Sequence, residues 1–427
     1  MEIAFLILAC FALGMQALSL YLALFEPELD YHIEEGPSAP LDSRDYVRLL
    51  ELVSDSQVCA DTVVEPLPNG EVFYEAELEA MRQATRSIHI EAYIFQKGKV
   101  TGRILDVLTR KAREGVKVRI VLDAIGSFAS TWNGLTKELT DAGGRVAWYH
   151  PLNLLQLPRI NNRTHREIVV IDGQIAFVGG AGFADHWQYK SKKDPRWRDD
   201  MFRIEGGAVA HVQATFAENW LEATGEVLLD PADYLQASKA DGQARTLIVN
   251  SSPSAGRATN ARILFQTLLA SARKSIHITT PYFVPDQGLR KELLRAVNER
   301  GVDVRVIVPG KHHDHILTRR TSRRLFGTVL QGGCKIYEYK PAMIHTKVMV
   351  VDGVWSVIGS TNMDPRSFGI NDEVNLAVCD QSLAEKLENQ FALDIAESEQ
   401  VSLGRWKRRP WYERVSESLG WIIERQQ

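Results

Sequence analysis

The sequence predicts an α/β protein built twice from one unit. Three observations carry that reading. The stretch beginning at His165, HREIVVIDGQIAFVGGAG, recurs at His345 as HTKVMVVDGVWSVIGSTN, 180 residues on. Ahead of each copy, β-branched runs alternate with helix-like segments, the order that builds a helix-covered, mostly parallel sheet. The 427 residues have an ordinary globular composition and are enough for two to three domains with large cores. A duplication of this kind implies two halves packed face to face, each supplying one histidine.

Ile3 to Phe25 is an uncharged run about long enough to cross a bilayer as a helix. A cleaved signal peptide or a buried helix would share that composition, but Glu2 stands where a signal peptide carries basic residues. A retained single span over residues 1–25 is therefore expected. Its orientation is unset, because neither flank holds a nearby Lys or Arg. Residues 26–61 read as a linker with one helix from Ser43 to Val53.

The first unit is placed at 62–242 and the second at 243–427. TVVEPLPNG from Thr62 resembles TLIVNSSPSAG from Thr246, and TRSIHIEAYIF from Thr85 resembles RKSIHITTPYF from Arg273. GVKVRIVLDAIGS from Gly115 matches GVDVRVIVPGK from Gly301. The offset drifts only from 188 to 180 residues, so the loops differ little.

In the second terminal hairpin, Val348 to Val351 and Val354 to Ile358 flank Asp352-Gly353, a strong turn signal. His345 and Lys347 share a strand face, and Ser360 and Asn362 repeat that spacing past the second strand. A hairpin brings its far ends together, so imidazole, ammonium, hydroxyl and amide converge. That set suits a phosphodiester, with cation and amide on the non-bridging oxygens and the histidine as nucleophile or acid. A lone H-x-K would be an ordinary surface pair; its recurrence as His165 and His345 favours chemistry.

The net charge of −4 argues against bulk attraction to nucleic acid. Four scattered cysteines form no C-x-x-C pair, and KHHDH from Lys311 is the only metal-like cluster, read as a loop. No cofactor or metal is expected. The Asp185–Asp199 loop and the tail from Arg405 mix basic and aromatic residues. The loop reads either as a solvated segment or as a lip over the groove, and the tail either as packed on the protein or as lying on anionic lipid.

The pattern H-x-K-x4-D-x6-G-S-x-N, filled by His345, Lys347, Asp352, Gly359, Ser360 and Asn362, resembles the signature of the phospholipase D superfamily. IEAYIF at Ile90, TPYFVPD at Thr280, and NMDPRSF and NDEVN between Asn362 and Asn375 resemble its bacterial cardiolipin synthase branch, over roughly residues 60 to 427. The resemblance implies two tandem phospholipase D-like α/β/α sandwich domains related by pseudo-two-fold symmetry. It implies catalytic roles for His165, Asp172, His345, Lys347 and Asp352, with Ser360 and Asn362 binding substrate. As DG turn residues, Asp172 and Asp352 equally suit hairpin geometry. One histidine would attack phosphorus to form a phosphohistidine while the other protonates the leaving alcohol. The implied reaction joins two phosphatidylglycerols into cardiolipin and glycerol at a bacterial inner membrane. The implied partners are anionic phospholipid (phosphatidylglycerol, cardiolipin) and the membrane, not nucleic acid. Such synthases commonly carry two N-terminal spans, and here only one is read.

The first copy departs from the pattern. Glu167 stands where the family has Lys, and Gly182 where it usually has Asn. On a strand, Glu167 shares the face of His165 and is expected to look into the groove. An ionised carboxylate there would repel phosphate, pair with His165 as an imidazolium, or pair with a loop arginine, while Arg163, Arg159 or, less suitably placed, Arg166 would substitute for the missing cation. Restoring the cation by Glu167→Lys is expected to raise transfer. Phospholipid or nucleic-acid hydrolysis, and a catalytically impaired homologue, stand as alternatives.

Overall fold

In the computed structural model the described residues are 31–128, 134–151, 161–190, 195–234, 242–253 and 259–410, with scattered positions between 10 and 21. The first half supplies β1 (Val58–Pro68), β2 (Ser87–Ala92), β3 (Lys117–Asp123), β4 (Arg145–Tyr149), β5 (Ile168–Ile171), β6 (Ile175–Gly179) and β7 (Asp200–Glu205). The second supplies β8 (Ala244–Ser251), β9 (Ser275–Thr279), β10 (Asp303–Pro309), β11 (Lys335–Tyr339), β12 (Val348–Val351), β13 (Trp355–Gly359), β14 (Glu373–Cys379) and β15 (Ser398–Gln400).

All fifteen strands form one mixed sheet. Read outward from the centre, the halves run β1-β7-β6-β5-β2-β3-β4 and β8-β14-β13-β12-β9-β10-β11, with β15 added at one edge. The two orders are the same unit twice. The central strands β1 and β8 pair antiparallel, so the halves are joined through equivalent strands. The tandem sandwiches expected from sequence thus share a single continuous sheet. The hairpin strands β5 (IVVI) and β12 (VMVV) are unbroken apolar runs because both of their faces are packed against core.

The two hairpins close through type I′ geometry. Asp172 and Gly173 have φ of 53° and 64°, and Asp352 and Gly353 have 55° and 67°. Asp172 accepts the backbone N–H groups of Thr85, Arg86 and Ser87 at 2.8–2.9 Å. Asp352 does the same for Arg273, Lys274 and Ser275. Each carboxylate therefore ties its turn to the start of the neighbouring antiparallel strand, β2 or β9. Seven residues of chain separate it from its histidine, at the opposite end of the hairpin. The structure does not bring Asp172 or Asp352 to an imidazole, and of the two readings it is the hairpin role that their contacts match.

The stretch read as a linker is packed rather than free. The helix Arg44–Val53 starts on the hydroxyl of Ser43, which accepts from Tyr46, and buries Tyr46, Val47 and Leu50 in the core of the second half. Just before it, the Leu41 carbonyl accepts from the Trp355 indole at 2.7 Å. The expected N-terminal span lies largely outside the described residues; among them, no helix is long and apolar enough to cross a membrane. Of the C-terminal tail, residues 411–427 also lie outside them. Its first part, the helix Leu403–Lys407, packs on the protein, with Trp406 donating to the Arg323 carbonyl.

If Asp352 is a staple, Asp352→Ala strands three amides and places an alanine at positive φ. Stability should fall by about 2–4 kcal/mol in denaturant titration, while turnover per folded molecule is kept. Lost turnover at full folding would return the residue to the chemistry.

Candidate functional site

Both histidines lie on short segments that enter β5 and β12, and each segment is held by the other half. Thr164 forms an isolated parallel bridge with Asp372, and Ile344 forms the equivalent bridge with Arg198. The His165 amide donates to the Asp372 carbonyl at 2.9 Å, and the His345 amide donates to the Arg198 carbonyl at 2.7 Å. The next residue of each partner strand then meets the imidazole. His345 Nδ1 lies 2.9 Å from Asp199, and His165 Nδ1 lies 3.0 Å from Glu373. Each half supplies a histidine and the carboxylate that orients the other half's histidine.

Asp199 and Glu373 are the residues that sequence reasoning missed. Their signal was present. β-Pairing aligns Gly179 with Met201 and Gly359 with Asn375, so Asp199 and Glu373 occupy equivalent positions two residues earlier. An acid at the entry of each of these strands was a third element of the repeat.

His345 is buried under indoles. Trp187 and Trp197 of the Asp185–Asp199 loop pack on its ring at 5.6 and 5.4 Å, and Trp187 Nε1 donates to Asp199 at 2.9 Å. That loop walls the site, with residues 191–194 outside the described set. Burial and the adjacent Lys347 push the His345 imidazole below its ordinary value, against the pull of Asp199. Burial alone would raise Asp199, yet the bond from His345 and the charges around it hold its carboxyl below the usual range. His345 is thus neutral at pH 7, with Nδ1–H donated to a carboxylate and Nε2 left with its lone pair. Lys347 Nζ donates to the His345 carbonyl at 2.8 Å and sits 3.2 Å from Nε2.

His165 is the more open of the pair, its side chain 13% exposed against 6% for His345. Tyr93 meets its ring edge-on at 5.5 Å. Glu373 also accepts from the hydroxyl of Ser360, so one carboxylate joins the first-half histidine to the second-half motif. Asn362 is buried, and its Oδ1 has no hydrogen-bond partner among the described residues. His165, His345, Lys347, Ser360 and Asn362 are brought to the seam between the halves.

Glu167 is buried as well, in surroundings that disfavour its anion. Its Oε1 accepts from the amides of Tyr93 and Ile94 at 3.2 and 3.4 Å, and its Oε2 is buried without a partner. Burial pushes its carboxyl well above the ordinary value, outweighing those two amides and Lys347, so the surroundings favour the protonated acid. It bonds neither His165, whose Nδ1 is taken by Glu373, nor an arginine. Arg166 runs away to Glu218, Asn250 and Ser252, Arg163 lies beside Asp123, and Arg159 is outside the described residues.

The second departure is bound to the first. A Cβ on Gly182 would lie 2.5 Å from the Ile94 carbonyl and 2.9 Å from Glu167 Oε1. The glutamate and the Ile94 backbone fill the space that a side chain at 182 would need. At Gly180, the counterpart of Ser360, a Cβ would come within 3.1 Å of Lys347 Nζ. The first-half cradle is bare, and the second-half lysine reaches into it.

The motif residues around the site have defined structural roles. Asp286 of TPYFVPD caps the helix Gln287–Arg300 and pairs with Arg262. Asp364 of NMDPRSF caps Pro365–Gly369, and Arg366 crosses to Asn161 of the first half. The KHHDH histidines belong to a loop, and among the described residues no group of His, Cys, Asp or Glu has the arrangement of a metal site.

If Asp199 fixes the tautomer of His345, Asp199→Asn should cost at least about 100-fold in kcat with an unchanged fold, because an amide can present its N–H to Nδ1 and turn the ring's proton outward. Steady-state turnover beside a circular dichroism spectrum tests this, and a loss under about threefold would dismiss the orienting role.

Comparison with known proteins places this geometry. The family described as "Cardiolipin synthase, PLD-like domain" matches residues 78–220 and 265–395, the two repeats. Cardiolipin synthase 2 of Bacillus anthracis is 37% identical over 374 residues, 87% of this chain and 72% of that protein. A cardiolipin synthase of Geobacillus sp. (strain WCH70) is 35% identical over 402 residues, 93% and 79% of the two chains. In fold, the chain is similar to the crystal structure of phosphatidylserine synthase from Haemophilus influenzae Rd KW20. The TM-score is 0.67 at 16% identity, covering 89% of this chain and all of the other. The doubled sheet, the paired histidines and the extent of these matches lead to one conclusion: the chain belongs to the phospholipase D-like cardiolipin synthase family.

Proposed function

We propose that this enzyme condenses two phosphatidylglycerols into cardiolipin and glycerol at a membrane, by way of a phosphatidyl group carried on His345. The observation that supports this assignment of the nucleophile is the neutral, indole-covered imidazole of His345, fixed through Nδ1 by Asp199. Its Nε2 attacks the donor phosphorus, and the phosphorus–oxygen bond to glycerol breaks. His165, oriented through Nδ1 by Glu373, gives its Nε2 proton to the departing glycerol oxygen. It then takes the proton from a glycerol hydroxyl of the second phosphatidylglycerol. That oxygen attacks phosphorus and frees His345.

Lys347 and Asn362 would hold the non-bridging oxygens, with Ser360 positioning Glu373. The buried indole wall favours transfer over hydrolysis by limiting water at the phosphohistidine. Membrane attachment is assigned to the apolar N-terminal run, at the inner membrane of a bacterium. The reading of an impaired homologue rested on a charge reversal at 167, and a neutral acid there removes its main argument.

Purified protein supplied with labelled phosphatidylglycerol should yield cardiolipin and glycerol. Phosphatidic acid would point to hydrolysis, and no product to an inactive homologue. His345→Ala and Lys347→Ala should each abolish product, by at least about 1000-fold, in folded protein. Mass analysis of rapidly quenched enzyme should find the phosphatidyl adduct on His345; an adduct on His165 would reverse the two roles.

Glu167 gives a separate test. Glu167→Gln keeps a neutral acceptor for Tyr93 and Ile94 and should transfer within about threefold of wild type. Glu167→Lys buries a cation and strands both amides, each costing about 1–3 kcal/mol, so activity should fall rather than rise. The fold holds this proton, whereas the unfolded chain releases it near 4.5, so wild-type stability drains as pH climbs above that value. The stability advantage of the Gln variant should therefore widen from pH 4.5 through neutrality. A gap that is flat with pH would mean that the carboxyl is ionised.

A further inference from the structure

Away from the histidines, the second half carries a cleft of about 930 Å³ between the helix Ile316–Gln331, the ends of β10 and β11, and the helix Leu403–Lys407. Eight of its lining side chains are Lys or Arg, against two glutamates. Those glutamates are already shared, Glu338 with Arg323 and Arg319, and Glu399 with Lys340 and Arg405. Lys311, Arg320 and Arg408 have no carboxylate partner among the described residues. A protein of net charge −4 has gathered a surplus of six positive charges in one concavity.

The cleft has a built wall. The Trp406 indole seats over Gly327, where any side chain would collide, and donates to the Arg323 carbonyl at 2.7 Å. That anchor fixes the short C-terminal helix against the helix Ile316–Gln331, and Arg405, Arg408 and Arg409 line the cleft beside it. The position in the fold is also informative. Gly310 follows β10 and Lys340 follows β11, so the cleft opens at the carboxyl ends of the parallel strands. His345 lies at the same end, because β12 runs antiparallel to β9 and begins where β9 finishes. Tyr282, just after β9, donates to Asp314 in the loop beside the cleft.

Apolar side chains stand at this end too. Ile316 and Leu317 are 52% and 42% exposed at the mouth of the cleft. In the first half, Ile125 and Phe128 are 40% and 46% exposed just past β3, the counterpart of β10. Exposed apolar residues beside unpaired cations suit an anionic bilayer surface, where one set enters the acyl boundary and the other meets phosphates.

Resting on the phosphatidyl-transfer reading, we propose that this cleft is a second lipid site, which holds the headgroup of an anionic phospholipid of the bilayer and seats the active-site end of the sheet on the membrane. The lipid it holds is not the one undergoing transfer, since no catalytic residue lines the cleft. A charged headgroup with its glycerol backbone fits a concavity of this size, and the neighbouring Ile316 and Leu317 give its acyl chains a place to leave.

The test uses the full chain carrying His345→Ala, so that no lipid turns over and the outcome is independent of catalysis. Flotation is compared on phosphatidylcholine vesicles with and without phosphatidylglycerol; pure phosphatidylcholine sets the contribution of apolar contacts. Lys311→Glu/Arg320→Glu/Arg408→Glu should lose the preference for phosphatidylglycerol by about 100-fold and keep the phosphatidylcholine baseline. Arg320→Lys/Arg408→Lys should keep the preference, and thermal unfolding of both variants checks the fold. An unchanged preference in the charge-reversed variant overturns the proposal. So does loss of the wild-type preference in millimolar inorganic phosphate at constant ionic strength, which would mark a free-phosphate site. Stronger displacement by a single-stranded oligonucleotide than by phosphatidylglycerol vesicles would overturn it in favour of nucleic acid.

Discussion

Two single-residue parallel bridges, Thr164 to Asp372 and Ile344 to Arg198, hold this active site together. Neither belongs to a long strand, yet each fixes the chain on both sides of the contact. One residue beyond each bridge stands a histidine, and one residue beyond its partner stands the carboxylate that the histidine needs. Swapping the carboxylates across the seam has a physical consequence. Neither half supplies the carboxylate bonded to its own imidazole, so relative displacement of the halves would release both histidines together. The continuous sheet through β1 and β8 opposes that displacement, and Arg198, buried between Asp200 and Asp394, adds a fixed charge network at the same seam. Such a network is costly to break one partner at a time, which favours a single arrangement of the two halves.

Within this shared frame the two copies have diverged in chemistry. The second half keeps its cation, hydroxyl and amide, and its histidine is the drier one. The first half has replaced the cation with a buried neutral acid and stripped its Gly180–Gly182 segment of side chains. These changes fit one another sterically, because Glu167 occupies space that an amide at 182 would need. One rearrangement therefore accounts for both departures from the family pattern. It leaves Lys347 as the motif cation at the seam, close enough to Gly180 that a Cβ there would lie 3.1 Å from its Nζ.

The duplication was legible in the sequence because hairpins keep a strict register: two apolar runs, an Asp-Gly turn and a polar end cannot slip without turning every side chain over. The helix after Ser43 was legible through its cap. Asp172 and Asp352 were overread, since an Asp in a type I′ turn and an Asp serving an imidazole have the same local pattern. Only the amides of Thr85–Ser87 and Arg273–Ser275, about 80 residues away, separate the two. Asp199 and Glu373 were missed for the related reason that their histidines lie 146 and 208 residues distant. Glu167 was read from its spacing as an ionised carboxylate, whereas its burial disfavours that form. Spacing reports where a side chain points, but its ionisation depends on how much water reaches it, and that is a property of the packed halves.

The same distinction explains why a near-symmetric scaffold can run an asymmetric reaction. Nucleophile and acid must differ in protonation at the same pH, although both are histidines held at Nδ1 by a carboxylate. Here the difference is made by surroundings. His345 has two indoles and an ammonium against it, whereas His165 has a tyrosine edge and more solvent. Burial and a neighbouring cation both disfavour the imidazolium, so the two influences add at His345. In the proposed reaction Lys347 therefore has two effects from one position: it would supply charge to the phosphate, and it disfavours the imidazolium of its own histidine. Had the first half retained a lysine at 167, both imidazoles would have met the same influence. With an acid in place of the lysine, His165 has no counterpart of the ammonium that stands against His345.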